Sequence, residues 1–251
     1  MTEQRSGYAL EVFNLNKAFG GLAVTQDVSV KVRPGERRLI IGPNGAGKTT
    51  LFNQISGDLR PSSGLIRLFG TDITYLPPYR RAHHGLSRTY QIITLFAGDT
   101  LAHNVSLGLL GLRLSRWQVW RPMSTYRDVA AEARRTLDAV GLLHLADHPI
   151  SDIAYGEKRR VELAVALAQK PRVLLLDEPL AGLSNTERSA VQSLIASISR
   201  DTTIIMIEHD MDKALELAET VTLLNYGRVI VDGERDAVIA DERTREVYLG
   251  T

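Results

Sequence analysis

The stretch IIGPNGAGKTTLFN, residues 40–53, decides the fold that the sequence predicts. Four residues separate Gly42 from the run Gly47-Lys48-Thr49; an apolar run precedes them and a helical pattern follows. A strand, a glycine-rich loop and a helix in this order form a phosphate-binding loop (P-loop). Glycines let backbone N–H groups converge on phosphate oxygens, and the helix N-terminus adds a partial positive charge. The sequence therefore predicts a site for a nucleoside triphosphate.

The residues of this loop have distinct predicted roles. Lys48 reaches the β- and γ-phosphates, and the Thr49 hydroxyl is a ligand for Mg²⁺. A glycine-rich turn that only caps a strand is the alternative, but the four specified positions coincide by chance in about one chain in a hundred. The predicted contacts with the nucleoside triphosphate come from the whole loop: Gly42, Pro43, Asn44, Gly45, Ala46, Gly47, Lys48, Thr49 and Thr50.

Composition excludes several classes of function. The chain has 251 residues, enough for a large core, and a net charge of +1, which lacks the basic excess of a nucleic-acid-binding protein. It has no cysteine, which excludes disulfides, thiolate nucleophiles and thiolate metal sites. No apolar run approaches the roughly 20 residues that span a bilayer, and the N-terminus has no secretory signal. We expect a cytoplasmic protein that reaches a membrane only through a partner.

Strands and helices alternate along most of the chain. Alternating patterns begin at Tyr8 and Asp27, and continuous apolar runs typical of strands buried on both faces occupy Arg37–Gly42, Arg172–Asp177, Thr202–Glu208 and Thr220–Asn225. Helical segments occupy residues 47–56, 186–199 and 211–218. This alternation predicts an α/β fold with a mostly parallel sheet between helices.

The middle of the chain has a different pattern. Residues 92–151 contain no strong buried strand, and apolar residues between Val129 and Val140 recur at helical spacing with charged residues between them. We interpret residues 92–159 as a helical lobe inserted into a core made of 1–91 and 160–251. The stretch IAYGE, Ile153–Glu157, is interpreted as a loop before a helix that is clear from Arg160 onward.

Polar residues at strand ends extend the predicted site. In VLLLDEP, Asp177 is placed to hold Mg²⁺ and Glu178 to orient and deprotonate an attacking water. Two solvated acids at a strand end are the alternative, which the P-loop upstream makes less favourable. His209 follows the next strand, where a contact with the γ-phosphate is possible in a parallel sheet. The amide of Gln91 suits Mg²⁺ coordination or water positioning.

Five stretches in this order, GPNGAGKTT, RTYQ, AYGEKRRVELA, LLLDEP and IEHDM, resemble the nucleotide-binding subunit of an ABC transporter. The resemblance covers nearly the whole chain and implies one ABC ATPase domain: a P-loop NTPase core, an N-terminal antiparallel β portion and an inserted helical subdomain that carries the signature motif. RTYQ followed by LF, the AYG form of the signature and the closing VYLG are most similar to ATPases of branched-chain amino-acid importers. The lipopolysaccharide-export ATPase ends similarly and is the alternative.

The resemblance also implies residue roles. Phe19 would stack on adenine, Gln91 would be the Q-loop glutamine, Glu178 the catalytic base and His209 the switch histidine. The signature corresponds to Ile153–Glu157, so that nucleotide contacts are expected from Ala154, Tyr155, Gly156 and Glu157. Three positions depart from the family pattern: Ala154 and Tyr155 replace serine and glycine in the signature, and Ser184 stands where aspartate is common. Without a hydroxyl, the Gly156 N–H and the helix N-terminus remain as donors.

The resemblance implies partners as well. Two ATP molecules would lie at a head-to-tail interface with a second ATPase subunit, identical or paralogous, and the helical lobe would contact membrane permeases that serve a solute-binding protein. A P-loop kinase or GTPase, a non-transport ABC protein and a module that holds ATP without turnover are the rivals. No NKxD run or heptad pattern supports the first two. Glu178 argues against the third, because turnover requires a carboxylate beside the Mg²⁺ acid.

Overall fold

The computed structural model describes residues 7–113, 125–208 and 211–249. Contacts between Cα atoms divide the chain into two compact units. The core unit comprises the described residues up to Arg88, residues Arg172–Glu178 and the described residues from Ile198 onward. The helical unit comprises Thr89–Pro171, apart from residues 114–124, and Pro179–Ser197.

The strands are β1 (Leu10–Phe19), β2 (Leu22–Val32), β3 (Arg37–Ile41), β4 (Ser63–Leu68), β5 (Thr71–Asp72), β6 (Leu86–Thr89), β7 (Val173–Asp177), β8 (Thr203–Ile207), β9 (Thr220–Asn225) and β10 (Arg228–Glu234). The helices are α1 (Lys48–Ser56), α2 (Pro78–His83), α3 (Leu101–Gly111), α4 (Arg127–Ala139), α5 (Tyr155–Ala168), α6 (Asn185–Ser197), α7 (Met211–Leu217), α8 (Arg235–Ala240) and α9 (Glu242–Leu249).

The strands form two sheets among the described residues. A four-stranded sheet has the order β2-β1-β4-β5 and antiparallel pairing throughout. A six-stranded sheet has the order β10-β9-β3-β8-β7-β6, in which β3 is parallel to both β8 and β9, and β7 is parallel to β8. The predicted α/β class, with a mostly parallel sheet and an N-terminal antiparallel portion, is confirmed. The sequence did not predict β10, which pairs antiparallel with β9 at one edge.

Burial explains why the central strands form where they do. Every residue of β3, β7 and β8 is buried, as expected of strands covered on both faces. Helix α1 contributes Leu51, Phe52 and Ile55 to a core that also contains residues of both sheets, such as Val30 and Leu175. The P-loop between β3 and α1 is therefore held at both ends by buried elements.

The helical unit has a core of its own. Apolar residues of α3, α4 and α5 form one buried cluster, and the predicted stripe of α4 contributes Val129, Ala133 and Leu137. Leu194 of α6 packs against the same cluster. The amphipathic helix predicted between residues 129 and 140 is thus confirmed. The predicted division of the chain at residues 92 and 159 stays a prediction, although the helical unit also takes in 160–171 and 179–197.

The predicted start of helix α5 is wrong. Helix α5 begins at Tyr155 and not near Arg160, so Tyr155, Gly156 and Glu157 are its first turn and not a loop. The Glu157 carboxylate accepts the Ala154 N–H at 2.8 Å, which supports the helix start at Tyr155.

Within the described part of the chain, no helix is long and apolar enough to cross a membrane.

Candidate active site

The P-loop adopts the conformation that its glycines allow. Gly42, Gly45 and Gly47 have φ angles of 151°, 80° and 99°, in a region that other residues rarely adopt. Gly47 is the N-cap of α1, so the loop ends at the N-terminus of that helix. Backbone N–H groups and the positive end of the helix therefore face the same loop, which is the arrangement that binds phosphate.

Two of these glycines also lie against other parts of the backbone. A Cβ atom on Gly42 would lie 2.1 Å from the Leu224 carbonyl oxygen, and one on Gly47 would lie 2.6 Å from that of Val24. The Gly227 N–H donates to the Ala46 carbonyl at 3.0 Å. By contrast, a Cβ on Gly45 would meet nothing within 4 Å. The loop is fixed by its neighbours at Gly42 and Gly47 and is open at Gly45.

Replacing Gly42 with alanine should therefore destabilise the nucleotide-free protein by roughly 3 kcal/mol, because a strained φ and a backbone collision add. The matched control is Gly45→Ala, which has the strained φ without the collision and should cost about 1 kcal/mol. Thermal unfolding without nucleotide measures both, and the melting temperature should fall by about 6–12 °C for Gly42→Ala. Equal losses would contradict the contact with Leu224.

Lys48 is buried at the start of α1. Its Nζ donates to the carbonyl oxygens of Gly42 at 2.6 Å and Pro43 at 3.1 Å, so the ammonium group lies inside the curve of the loop. Burial lowers the pKa of Lys48, while the nearby carboxylates of Glu178 and Asp177 act in the opposite direction. A cation held beside the phosphate loop and close to two carboxylates suits the binding of a phosphate–metal complex.

Asp177 and Glu178 lie at the carboxyl end of β7, as predicted. Asp177 is 1% exposed. Its Oδ2 accepts a hydrogen bond from Arg88 at 2.6 Å, whereas its buried Oδ1 has no hydrogen-bond partner among the residues that the structure describes. Glu178 has a φ of 48°, and its N–H donates to the Ile207 carbonyl at 3.0 Å. A left-handed backbone at a buried acid is strained, and such strain is concentrated at functional sites.

Phe19 ends β1 at the hairpin that leads to β2. The residue is 50% exposed, and the Lys17 ammonium lies 5.2 Å from the ring centroid. Gly20 and Gly21 form the turn with positive φ angles. An exposed aromatic ring on a fixed hairpin is a suitable surface for stacking a planar base.

Gln91 lies in the helical unit, where its backbone is held by the signature helix. The Arg159 side chain on α5 is 1% exposed and donates to the carbonyl oxygens of Tyr90, at 2.7 Å, and Gln91, at 3.3 Å. Glu162, one turn further along α5, pairs with Arg159 at 2.7 Å. Burial raises the pKa of Glu162, which the pair with Arg159 opposes. This buried pair fixes the main chain next to Gln91.

The signature residues Ala154–Glu157 form the N-cap and first turn of α5. Alanine has no side-chain oxygen, so Ala154 makes only the half of a capping box in which Glu157 accepts its N–H. The Gly156 N–H donates to Glu187 Oε1 at 3.1 Å. The Gly156 N–H, one of the backbone donors predicted to bind a phosphate, is therefore bound to a carboxylate of α6.

Glu187 joins two helix N-termini. Its Oε2 accepts hydrogen bonds from the Ser184 hydroxyl at 2.6 Å and the Ser184 N–H at 2.9 Å, while its Oε1 accepts that of Gly156. The Ser184 hydroxyl, followed by the backbone N–H groups, holds the pKa of Glu187 below its ordinary value. The carboxylate is thus ionised at neutral pH and stabilises the N-terminus of α6.

Tyr155, which stands where the family pattern has glycine, has a packing role. Its side chain is 43% exposed, and a Cβ on Gly182 would lie 3.3 Å from its Cε1 atom. Gly182 has a φ of 73°, so glycine is favoured there by the backbone conformation as well as by the close tyrosine ring. The tyrosine ring covers the backbone of the loop that follows Glu178 and precedes α6.

The predicted site residues are distributed over both units. The P-loop, Asp177, Glu178 and Phe19 lie in the core unit, whereas Gln91 and the signature lie in the helical unit. His209 lies outside the described residues. The described residues contain no group of three or more His, Asp or Glu side chains that could hold a metal ion by themselves.

Sequence reasoning missed the roles of three side chains. Arg88 and Arg159 stand within motifs that the sequence singled out, but a buried arginine has no local signature. Glu187 does have one, because Ser184 and Glu187 form the S-x-x-E pattern of a capping box at the start of α6. That pattern locates the carboxylate at the helix start but does not predict its bond to Gly156.

A P-loop beside two carboxylates at the end of a parallel strand defines the class as a P-loop nucleoside triphosphatase. A profile of the ABC transporter family matches residues 25–181. The high-affinity branched-chain amino acid transport ATP-binding proteins BraF of Pseudomonas aeruginosa and LivG of Escherichia coli K12 are each 34% identical, covering 96% of this chain and 97% of their own. The lipopolysaccharide export system ATP-binding protein LptB of Haemophilus influenzae is 31% identical, covering 94% and 95%.

A solved structure agrees with this result. The nucleotide-free ATP-binding cassette of an ABC transporter has a TM-score of 0.87 and 28% identity, covering 97% of this chain and all of its own. The chain belongs to the ATP-binding subunits of ABC transporters, as its motifs predicted. It binds ATP and hydrolyses it, and the hydrolysis is coupled to transport.

Proposed function

We propose that this chain powers an importer of amino acids or similar small polar solutes, of the branched-chain amino-acid type. The similarity to BraF and LivG, which extends over nearly the full length of all three chains, carries this proposal. The alternative is an exporter such as a lipopolysaccharide transporter, which the similarity to LptB favours at lower identity. A non-transport P-loop ATPase is not favoured by any of these relatives.

In the proposed ATP site, residues 42–50 surround the phosphates and Lys48 moves from its own loop carbonyls to the phosphate oxygens. Phe19 stacks on adenine, for which its exposed ring is suited. Mg²⁺ neutralises phosphate charge and would be held by Thr49, Gln91 and Asp177. The residues fit a hard cation, because all three offer oxygen ligands and the buried Asp177 Oδ1 is without a donor among the described residues.

Glu178 is the proposed general base. Its carboxylate orients a water molecule and accepts its proton, and its location beside Lys48 and Asp177 supports this role. Gln91 would help to position the same water. The family resemblance assigns His209 to the γ-phosphate, and that assignment remains a proposal.

The signature residues Ala154, Tyr155, Gly156 and Glu157 are proposed to complete the ATP site of a second ATPase subunit, identical or paralogous. Binding of ATP would close the pair, and hydrolysis would release it. The helical unit would contact integral membrane permeases on the cytoplasmic face, and a periplasmic or extracellular solute-binding protein would deliver the solute. No contact with nucleic acid is proposed, because the net charge is only +1.

Uptake in cells tests the proposed function. Deleting the gene for this chain should reduce uptake of radiolabelled leucine, isoleucine or valine to background, because the importer loses its source of energy. The wild-type chain should restore uptake, whereas a Glu178→Gln chain expressed at the same level should not. Unchanged uptake of all three, together with loss of lipopolysaccharide from the cell surface, would favour the exporter instead.

A further inference from the structure

Arg88, on β6, joins the carboxylate of Asp177 to the end of helix α1. Its Nη2 donates to Asp177 Oδ2 at 2.6 Å. The two N–H groups of its Nη1 are shared among three acceptors near the C-terminus of α1: Asn53 Oδ1 at 2.7 Å, Ser56 Oγ at 2.9 Å and Asp58 Oδ2 at 3.1 Å. The Arg88 side chain is 5% exposed, so these hydrogen bonds are largely protected from water.

The hydrogen bond from Arg88 makes the two carboxylate oxygens of Asp177 inequivalent. Oδ2 is occupied by the guanidinium group, and Oδ1 is buried without a donor within the described part of the chain. A buried carboxylate oxygen without a partner is costly, and such atoms in a native protein call for an explanation. A cation or its bound water at Oδ1 would provide one.

We propose that Arg88 is a positioning residue for the Mg²⁺-ATP site, which it serves by fixing the rotation of the Asp177 carboxylate so that Oδ1 is the metal-facing oxygen. This inference rests on the proposed role of Asp177 in holding Mg²⁺. Residues that orient a metal ligand in this way typically change metal affinity or activity about tenfold to a hundredfold when they are replaced. Arg88 does not itself touch ATP in this proposal.

The geometry requires arginine and not merely a positive charge. One guanidinium group donates to acceptors on β7 and on α1, and its Cζ atom lies 5.8 Å from the centroid of the Phe52 ring. A planar fork with several fixed N–H directions can do this, whereas the ammonium group of lysine is a single point charge on a flexible chain. Arg88 thereby ties Asp177 to the same helix that begins with Lys48 and Thr49.

Simple electrostatics predicts the opposite effect of replacing Arg88. Removing a positive charge next to Asp177 should attract Mg²⁺ more strongly, because the local charge becomes more negative. The positioning proposal predicts weaker Mg²⁺-dependent binding, because the carboxylate is free to rotate and Oδ2 loses its partner. Whether Mg²⁺-dependent binding becomes stronger or weaker therefore distinguishes the electrostatic effect from the positioning role.

The experiment measures the affinity of the full chain for a fluorescent ATP analogue, once with Mg²⁺ and once with EDTA. In Arg88→Met, the tightening of binding by Mg²⁺ should fall about tenfold or more, while affinity in EDTA stays close to wild type. In Arg88→Lys, the tightening of binding by Mg²⁺ should be intermediate between the wild type and Arg88→Met. The lysine variant serves as the test if the methionine variant does not fold. An unchanged or larger Mg²⁺ effect in the folded variants would overturn the proposal.

A double-mutant cycle with Asp177→Asn tests the metal role of Asp177 separately from the positioning role of Arg88. If Arg88 acts through Asp177, Arg88→Met should add little to the loss caused by Asp177→Asn. If Asp177→Asn itself leaves the Mg²⁺ effect unchanged, the proposed metal role of Asp177 fails and the Arg88 proposal with it. If Asp177→Asn abolishes the effect and Arg88→Met does not reduce it, only the Arg88 proposal fails.

Arg81 provides a matched control, because it is another buried arginine that binds α1. It donates to the carbonyl oxygens of Gln54 at 2.7 Å and Ile55 at 2.6 Å, and within the described part of the chain it makes no hydrogen bond with Asp177. Arg81→Lys should lower the melting temperature without changing the Mg²⁺ dependence of nucleotide binding. A loss of Mg²⁺ dependence there as large as in the Arg88 variants would mean that any damage to α1 suffices, which would overturn the specific role of Arg88.

Discussion

Replacing Glu178 with glutamine should reduce ATP hydrolysis by about a hundredfold to ten-thousandfold while nucleotide binding persists. Glutamine keeps the size and the hydrogen-bonding capacity of the side chain but cannot accept a proton from water at neutral pH. The loss should therefore appear in kcat and not in the affinity for ATP. Since ATP is bound but not consumed, the variant should also accumulate an ATP-dependent dimer.

The backbone at Glu178 should not change in this variant. The residue adopts a φ of 48°, and its N–H is bonded to the Ile207 carbonyl, both of which are independent of the side-chain charge. Glutamine tolerates a left-handed backbone about as poorly as glutamate, so the strain is matched. A lower rate in Glu178→Gln can then be attributed to the missing carboxylate.

Three measurements test this prediction: steady-state hydrolysis, ATP affinity and gel filtration with and without ATP. Glu11→Gln is the matched control, because Glu11 on β1 is 8% exposed, as Glu178 is, and belongs to no predicted site. That variant should hydrolyse ATP at the wild-type rate. Hydrolysis at a normal rate in Glu178→Gln would remove Glu178 from the mechanism.

The parts of the fold that the sequence predicted are those with a strong local pattern. Strands β3, β7 and β8 were predicted because burial on both faces makes them continuous apolar runs. The P-loop was predicted because its glycines and Lys48 are required at fixed spacing. By contrast, β10 has a mixed pattern, since only Val231 is buried on it, and edge strands of this kind leave little hydrophobic signal.

The start of α5 shows a second limit. The helix was predicted only from Arg160, because Tyr155 and Gly156 are poor helix residues by intrinsic propensity. The bond between Glu157 and the Ala154 N–H outweighs that propensity at the first turn. The hydrogen bond from the Gly156 N–H to Glu187 was not predictable from the sequence. Helix α6 lies about 30 residues further along the chain, and only the folded chain brings the two N-termini together.

Arg88 shows a third limit, which concerns roles and not positions. The motif RTYQ predicts a role for Gln91 but none for Arg88. Its partners lie on α1, at Asp58 just beyond that helix and on β7, up to 89 positions away in sequence. Long-range polar contacts of a buried side chain follow from tertiary structure, so a single sequence cannot supply them.

Replacing Gly156 with leucine should reduce ATP hydrolysis by about a hundredfold while the isolated subunit still binds ATP. A Cβ on Gly156 would lie 2.5 Å from Glu187 Oε1, so the Glu187 side chain must move and the new side chain takes its place at the α5 N-terminus. Since Gly156 lies in the helical unit and the P-loop in the core unit, ATP binding by one subunit should persist. The loss follows from the proposed role of this helix end in the partner's ATP site.

Glu187→Ala separates the two effects of that substitution. It removes the carboxylate that holds the Gly156 N–H but adds no bulk to α5, so a phosphate of the partner's ATP gains a free donor. We expect this variant to keep most of its hydrolysis, in contrast to Gly156→Leu, with melting temperatures measured for both. An equal loss in the two variants would assign the effect to the bridge between Glu187 and α5. Full activity in Gly156→Leu would contradict the proposal that the signature acts on a second subunit, because leucine leaves no room for a phosphate at that helix end.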